Sequence, residues 1–520
     1  MKIPPPVPQG RDDVIRGPAV LPSPQLGAVV LAAGLGTRMR SRRAKVLHEL
    51  GGRPLLRYPL AALAALRPDR VAVVVGHQAD EVRAVAEAAA GLGDLRVVLQ
   101  PEQRGTGHAV ARAAEAFADF TGDVLVLYGD VPFVRPDTLR RLVDAHRAGG
   151  AVLSLLTMCF AVPTGYGRIV RGADGRITRI VEERDATPAE RAITEVNPGF
   201  YCVRSATLFS LLGRLRPDNA QGELYLTDLV GLVAEAGDPI VAVRVERPEE
   251  LAGINTRAEL ARQEARLRTE LVERWMADGV TFEDPATAYI GPEVTIGPDT
   301  VIGPNVVLRG RTRIGRECRI DGTAFLVDTT IGDRVHVRFG SVSEGAEIGD
   351  DAVIGPYARL RPGTQLGERV HVGNFVETKN AKLGAGTKAN HLTYLGDCEM
   401  GPDGNVGAGT ITCNYDGFAK HKTTIGARVF IGSDSQLVAP VTLADDVYVG
   451  SGTTVTTDVP AGALAVSRAP MRVIPCWTAR RRARAATNAA KPAPAKAPKR
   501  AKTAPKRSRP KTRARARRRR

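Results

Sequence analysis

From Ala288 onward, aliphatic residues recur at every sixth position: Ile290, Ile296, Ile302, Leu308, Ile314 and Ile320. Glycine follows several of them, at Gly291, Gly297, Gly303 and Gly315. The phase slips and resumes at Ile348, Ile354, Leu360, Leu366 and Val372. It returns once more at Ile425, Ile431, Leu437, Leu443, Val449 and Val455. A short fixed period with one aliphatic per repeat predicts a β-solenoid, because each repeat buries its apolar residue only by stacking on its neighbours. The aliphatic is expected to point inward, with the glycine or small residue at the corner. Insertions in such arrays map to loops that often bind. The breaks in phase therefore draw attention to Arg359–Gly363, His371–Lys379, Lys388–Asp397 and Ala408–Gly417.

The N-terminal half has a different texture. Ala28 to Ala33 is an apolar run that reads as a buried strand. It leads into Gly34-Leu35-Gly36-Thr37-Arg38-Met39. Two glycines one residue apart let the backbone turn sharply and present N–H groups to a ligand. Arg38 offers a fixed fork of donors suited to phosphate oxygens, and Lys45 a second cation on the same loop. The spacing fits neither a P-loop nor a dinucleotide fingerprint. Taken alone, the turn is equally compatible with a plain strand-to-helix connection. Strand-like runs at Arg70–Gly76, Leu95–Gln100 and Asp123–Tyr128 alternate with helical stretches at Asp80–Ala90 and Ala109–Phe117. That alternation predicts a mainly parallel α/β sheet, with ligands at the carboxyl ends of its strands. Gln100, the Gly105–Thr106 loop and Tyr128-Gly129-Asp130 stand at such ends.

Charge is segregated. The formal charge is +17, but Arg480–Arg520 holds 19 Lys or Arg and no acid, which leaves −2 for the rest. Such a tail cannot pack a core and is expected to be disordered. It reads either as a solvated tail or as a salt-sensitive binder of nucleic acid or another polyanion. The six cysteines (Cys159, Cys202, Cys318, Cys398, Cys413 and Cys476) form no C-x-x-C pair. That argues against zinc and a disulfide framework, and suits a reducing cytoplasm with buried free thiols. No apolar stretch approaches the roughly 18 residues of a membrane span. The proline-rich N-terminus lacks the apolar core of a signal peptide and reads as a flexible extension.

The run Leu31 to Met39, with Lys45 and Pro54-Leu55-Leu56, resembles the signature of sugar-1-phosphate nucleotidyltransferases. That resemblance implies that Leu31, Ala32, Ala33, Gly34, Lys45, Gln100, Gly105, Thr106, Tyr128 and Gly129 bind a nucleoside triphosphate. Arg38 and Lys45 would contact its phosphates. A triphosphate needs a hard cation held by one or two protein oxygens. The resemblance makes Asp130 and Asn255 the Mg²⁺ pair. Gly167, Glu182 and Asn197 would line a sugar pocket together with Asn255. Pro198 stands where the family more usually has a small polar residue.

The hexapeptide pattern resembles the left-handed parallel β-helix of acyltransferases, which usually trimerise and bind acetyl-CoA between neighbouring helices. HLTYLGD from His391 and GAGTITCNYDG from Gly407 narrow the resemblance to the GlmU family. That family joins N-acetylglucosamine-1-phosphate uridyltransferase to glucosamine-1-phosphate acetyltransferase, and the similarity runs from about Gly27 to Trp477. It implies that Arg361, Lys379, Tyr394 and Asn405 bind the sugar phosphate. Asn414, Tyr415, Ser433, Ser451 and Arg468 would contact acetyl-CoA, with Ser451 standing where alanine is common. His391 would be the general base, since an ammonium cannot attack a thioester and imidazole titrates in the useful range. Glu377 is a candidate to hold its tautomer.

The expected organisation is an extension (1–25), a Rossmann-like nucleotidyltransferase domain (26–256), a linker helix (257–279), the β-helix (280–478) and a basic tail (479–520). The linker helix would pack through Ala258, Ala261, Ala265, Leu267 and Leu271. The expected function is bifunctional synthesis of UDP-N-acetylglucosamine from glucosamine 1-phosphate, acetyl-CoA and UTP with Mg²⁺. The product would feed peptidoglycan and lipopolysaccharide precursors, and the enzyme would be a cytoplasmic homotrimer with no membrane span. The alternatives are a nucleotidyltransferase with an inactive solenoid, or a polyanion binder.

Overall fold

Burial follows the predicted six-residue register: all the repeat aliphatics named above are 5 % exposed or less. The computed structural model describes residues 24–489. The chain divides into two units, Met1–Ser467 and Arg468–Arg520.

The first unit opens with β1 (Gln25–Ala32), α1 (Arg57–Ala64), β2 (Arg70–Val75), α2 (Ala79–Glu87), β3 (Asp94–Leu99), α3 (Thr106–Arg112), β4 (Gly122–Tyr128) and α4 (Pro136–Ala148). It continues through β5 (Leu153–Cys159), β6 (Gly167–Arg171), β7 (Ile177–Val181), β8 (Glu195–Asn197), β9 (Tyr201–Arg204), α5 (Ser205–Leu212), α6 (Asp228–Glu235) and β10 (Ile240–Arg244). The sheet order is β3-β2-β1-β4-β9-β5-β8-β6-β7, with β10 beside β5. The first four strands are parallel; β9 runs antiparallel to β4. Val29, Val30, Val73, Val74, Val126 and Leu127 are fully buried because helices cover both faces of these central strands.

A long helix, α7 (Arg257–Ala277), follows, started by a reciprocal capping box between Thr256 and Glu259. Its buried face is Leu267, Leu271, Val272 and Trp275. Ala258, Ala261 and Ala265, expected on that face, are exposed. The larger side chains remove more apolar area from water, so they set the helix rotation. Leu267 and Leu271 pack on Leu50, Leu55 and Ile254, while Val272 and Trp275 join the first turns of the solenoid core.

The solenoid stacks short strands in parallel. Ile290 lies under Leu308, Ile296 under Ile314 and Ile302 under Ile320, so one coil is three of the sequence repeats. Ile314 then pairs with Ile331 and Ile320 with Val337, so these coils fall one residue short of three repeats. The shortened coils are the physical content of the phase slip. The inward positions without an aliphatic hold hydroxyls that pair internally. Ser343 meets Thr329 at 3.0 Å and Thr378 meets Thr364 at 2.9 Å. Thr412 pairs with Leu437, a longer step that accommodates the loop 414–421.

The corner differs from expectation in detail. The left-handed backbone sits three residues after the aliphatic, at Asp299, Asn305, Glu317 and Thr323, not at the following glycine. That glycine is there for clearance: a Cβ at Gly297 would lie 2.6 Å from the backbone of Gly315 in the next coil.

In the second unit, α8 (Trp477–Ala489) is a helix with no buried residue. The composition predicts disorder from residue 479, yet residues 479–489 are helical. The segment is rich in alanine and arginine, both strong helix formers. Residues 490–520, like 1–23, lie outside the described residues. Among the described residues, no helix is long and apolar enough to cross a membrane.

Candidate functional site

The end of β1 and the loop after it deliver the first cluster. Leu31 and Ala32 close the strand, and Ala33 and Gly34 begin the turn. Gly36 is left-handed, with φ of 60°, and a Cβ there would strike the Lys45 side chain at 2.7 Å. Glycine is thus what lets the loop lie against Lys45. Arg38 and Lys45 converge on residues far along the chain. Arg38 Nη2 donates to Asn255 Oδ1 at 2.9 Å. Lys45 Nζ donates to the same oxygen at 3.2 Å and to the buried Asp130 carboxylate. Asn255 is pinned in turn: its N–H donates to Glu259 in the α7 capping box.

Asp130 and Asn255 therefore present two side-chain oxygens to one positive centre. Two oxygens, one of them charged, suit a hard divalent cation that draws its other ligands from phosphate and water. The residues fit Mg²⁺, with the Lys45 ammonium standing at the point where they converge.

Around this cluster, Gln100 is buried; its amide reaches Gly105 O at 3.3 Å and His108 Nδ1 at 3.1 Å. Thr106 opens α3 and accepts from Leu226 N at 3.0 Å. Tyr128 and Gly129 end β4. Burial, with Glu182 and Asp130 nearby, pushes the Tyr128 phenol well above its ordinary range. Gly167, Glu182 and Asn197 come together as well. Asn197 pairs with Gly167 across β8 and β6. A Cβ on Gly167 would sit 3.3 Å from Glu182 Oε1. Burial raises the Glu182 pKa, although Thr227 donates to it at 3.2 Å. Asn197 donates to Tyr201 OH at 2.7 Å and accepts from Gly199 N at 3.0 Å. Thr227 belongs to the run Asn219–Asp228, whose sequence reads as structural or pocket-supporting, and the same run braces α3 through Leu224.

The second cluster lies on the solenoid. Arg361 pairs with Glu377 at 2.8 Å. Lys379 is in register with Gly396, and the Tyr394 hydroxyl lies over Gly396, where a Cβ would come within 2.3 Å. Lys420, which sequence reasoning missed, reaches across from the inserted loop to Lys379. The neighbouring ammonium lowers the Lys379 pKa, with burial adding to it. Two ammonium groups placed together beside a guanidinium form an anion cradle.

His391 Nδ1 lies 3.0 Å from Asn374 Oδ1. This replaces the expected Glu377 partner, which is committed to Arg361. Asn374 lies one shortened coil before His391, and the two are in register. Glu377 lies less than one coil before it and on another face, so counting by coil length would have found the right residue. Since an amide oxygen only accepts, Nδ1 carries the proton and Nε2 keeps its lone pair.

Asn414 is buried and donates to Asp397, which also accepts from Asn380 at 2.8 Å. Burial opposes ionisation of Asp397, but these amides, with Lys379 and Lys420, hold its pKa below the ordinary carboxylate value. Tyr415 is exposed, its hydroxyl donating to Gly417 O at 2.7 Å. Ser433 and Ser451 occupy the same corner of successive coils, where Gly452 N donates to Ser433 O at 2.8 Å. Asn405 is not beside Arg361. It pairs with Lys388 and Phe430 in the sheet that carries His391. Arg468 falls in the second unit. Of the cysteines, Cys202, Cys318 and Cys398 are buried, Cys159 and Cys413 partly so, and Cys476 is exposed, against the expectation that all would be buried.

Comparison with known proteins follows the same division. Residues 28–219 match the family described as MobA-like NTP transferase domain. Residues 285–383 match the GMPPB C-terminal domain, and 422–457 the bacterial transferase hexapeptide of six repeats. The chain is 52 % identical over 472 residues to "Bifunctional protein GlmU" of Anaeromyxobacter sp. (strain Fw109-5), covering 91 % of this chain and 96 % of the relative. The protein of the same name from Pelobacter propionicus is 49 % identical over 445 residues, covering 86 % and 96 %. That of Corynebacterium efficiens is 46 % identical over 468 residues, covering 89 % and 96 %.

Proposed function

This chain belongs to the GlmU family of bifunctional proteins, and from that premise we propose a reaction for each of its two clusters. The chain is a bifunctional transferase that makes UDP-N-acetylglucosamine. The observation that carries the reading is that one chain holds two separate clusters: Arg38, Lys45, Asp130 and Asn255 converge in one, and in the other His391 is held through Nδ1 by Asn374.

On the solenoid, Arg361, Lys379, Lys420, Tyr394 and Asn405 hold the phosphate and sugar of glucosamine 1-phosphate. The amine attacks the thioester carbonyl of acetyl-CoA, His391 Nε2 takes the amine proton, the C–S bond breaks, and the imidazolium returns the proton to the departing thiolate. Asn414, Tyr415, Ser433 and Ser451 hold the acetyl donor. In the sheet domain, the phosphate oxygen of N-acetylglucosamine 1-phosphate attacks the α-phosphorus of UTP and pyrophosphate leaves. Gly167, Glu182 and Asn197 receive the sugar, while Arg38 and Lys45 neutralise phosphate charge. Asp130 and Asn255 would hold the Mg²⁺, which supplies charge neutralisation and phosphate alignment when bound. Two separate assays test the scheme. Glucosamine 1-phosphate with acetyl-CoA should release free thiol. N-acetylglucosamine 1-phosphate with UTP and Mg²⁺ should release pyrophosphate. Pyrophosphate without thiol would reduce the solenoid to a scaffold.

Glu182 gives this reading a pH dependence. Its ionised form accepts sugar hydroxyls, and burial moves its ionisation above the ordinary carboxylate value. The fraction ionised therefore rises as pH rises through the acid range. The KM for N-acetylglucosamine 1-phosphate should fall across that window. Glu182→Gln should raise KM by roughly tenfold, the worth of one hydrogen bond to a charged group, and flatten the slope. A KM–pH profile of both proteins checks this.

The enzyme is a cytoplasmic homotrimer in this reading, since acetyl-CoA and UTP are cytosolic metabolites. Trimerisation is supported by an aromatic column on one solenoid corner. Phe339 meets Tyr357 edge-on at 5.6 Å and Tyr357 stacks on Phe375 at 5.7 Å, while all three remain 46–57 % exposed. Light scattering that returned a single-chain mass would remove that part. The tail binds polyanions weakly through its 19 cations. Affinity for DNA should fall steeply with added salt, and deleting Arg480–Arg520 should abolish it. Unchanged low-salt binding after deletion would refute the tail's role.

A further inference from the structure

Asn414 is anchored on both sides of its backbone. Its N–H donates to Thr412 O at 2.9 Å, and its carbonyl oxygen accepts from His421 N at 2.8 Å. Only the side-chain torsions are left to fix, and Asp397 fixes them. Asn380, Asp397 and Asn414 follow one another at intervals of 17 positions, so their side chains stack at one corner of the solenoid. The Asp397 carboxylate lies between two amides. Its Oδ1 accepts from Asn380 Nδ2 at 2.8 Å and its Oδ2 from Asn414 Nδ2 at 2.5 Å.

A carboxylate only accepts, so the Asn414 –NH₂ faces it and the Asn414 side-chain oxygen faces away. That oxygen takes no hydrogen bond from any described residue, and it is not sealed from solvent. It is an acceptor held ready for a donor from outside the chain. Acetyl-CoA carries amide N–H groups of that kind.

We propose that Asp397 is a positioning residue for acetyl transfer: it turns the Asn414 oxygen toward an amide N–H of the acetyl donor. This role rests on Asn414 being a contact of that donor, as proposed above. Without Asp397 the amide is free to flip and to set –NH₂ against N–H, donor against donor. Asp397 also faces the Lys379 and Lys420 ammonium groups. Removing its charge leaves the phosphate cradle more positive, so its loss acts in opposite senses on the two substrates.

The test is steady-state thiol release by the full chain. The backbone at Asp397 is left-handed, with φ of 47°, so glycine replaces it without strain. Asp397→Gly should raise the KM for acetyl-CoA by about tenfold or more, the usual effect of losing a hydrogen bond to a charged group. The KM for glucosamine 1-phosphate should not rise, and pyrophosphate release in the other assay should persist. Asp397→Asn keeps one oxygen for Asn414 and should recover most of the loss. In Asn414→Ala there is no amide to orient, so adding Asp397→Gly should move the acetyl-CoA KM by less than about twofold. Asp397→Ser, with a hydroxyl too short to reach Asn414, gives the same reading where Asp397→Gly does not fold. An acetyl-CoA KM within about twofold of wild type in Asp397→Gly, an equal rise in both KM values, or a full further rise in the double variant would overturn the role of Asp397. Absence of thiol release from the unaltered chain would overturn the acetyltransferase reading itself.

Discussion

Replacing His391 with alanine is expected to lower acetylation of glucosamine 1-phosphate by about 10²–10⁴-fold, the usual worth of a positioned general base. Uridyl transfer should be unchanged, because the two clusters share no residue. The expectation rests on the Asn374 contact at 3.0 Å, which leaves Nε2 as the free acceptor. It extends to Asn374. Asn374→Asp retains an acceptor for Nδ1–H and should keep most activity. Asn374→Leu removes it and should lose activity in kcat more than in KM, since the ring then samples the wrong tautomer. Thiol release measured for the three variants checks both statements. Acetylation within twofold of wild type in His391→Ala would place the base elsewhere.

Asp130→Asn is expected to have the mirror-image effect. Pyrophosphate release should fall by roughly 10²–10³-fold, in line with the several kcal/mol that a correctly held divalent cation contributes to phosphoryl chemistry. Thiol release should persist. The substitution keeps the shape and removes the one buried charge that faces Lys45 and Asn255. Chelation of Mg²⁺ should abolish the same half-reaction and spare the other. In Asp130→Asn, partial recovery at high Mg²⁺ would show weakened cation affinity rather than a misfolded sheet. Equal loss of both activities would point to a global defect instead.

The two sites were unequally legible. Part of the nucleotide cluster follows strand ends, and a parallel sheet brings strand ends together. Gly36, Asp130 and Gln100 could therefore be placed from the pattern of strands alone. The sugar pocket was legible only in part. Thr227, which holds Glu182, lies far along the chain from it and belongs to a different element. On the solenoid the limit was coil length. Counting three full repeats back from His391 lands on Gly373, which has no side chain to hold the ring. The shortened coils place Asn374 there and send Glu377 to Arg361. Lys420 was missed because it sits on an inserted loop, whose path no repeat period encodes.

The hydrophobic period and the glycine turn were enough to establish two bodies, a parallel sheet and a solenoid. Burial of apolar surface depends on the spacing of residues along the chain, and spacing is written in the sequence. The rotation of α7 and the partners of Arg361, His391 and Lys379 were not so written. They depend on which side chains, distant in the chain, arrive at the same point in space with compatible charge and shape. Arg38 meets Asn255 across 217 positions, and only the folded sheet with α7 docked against it closes that gap.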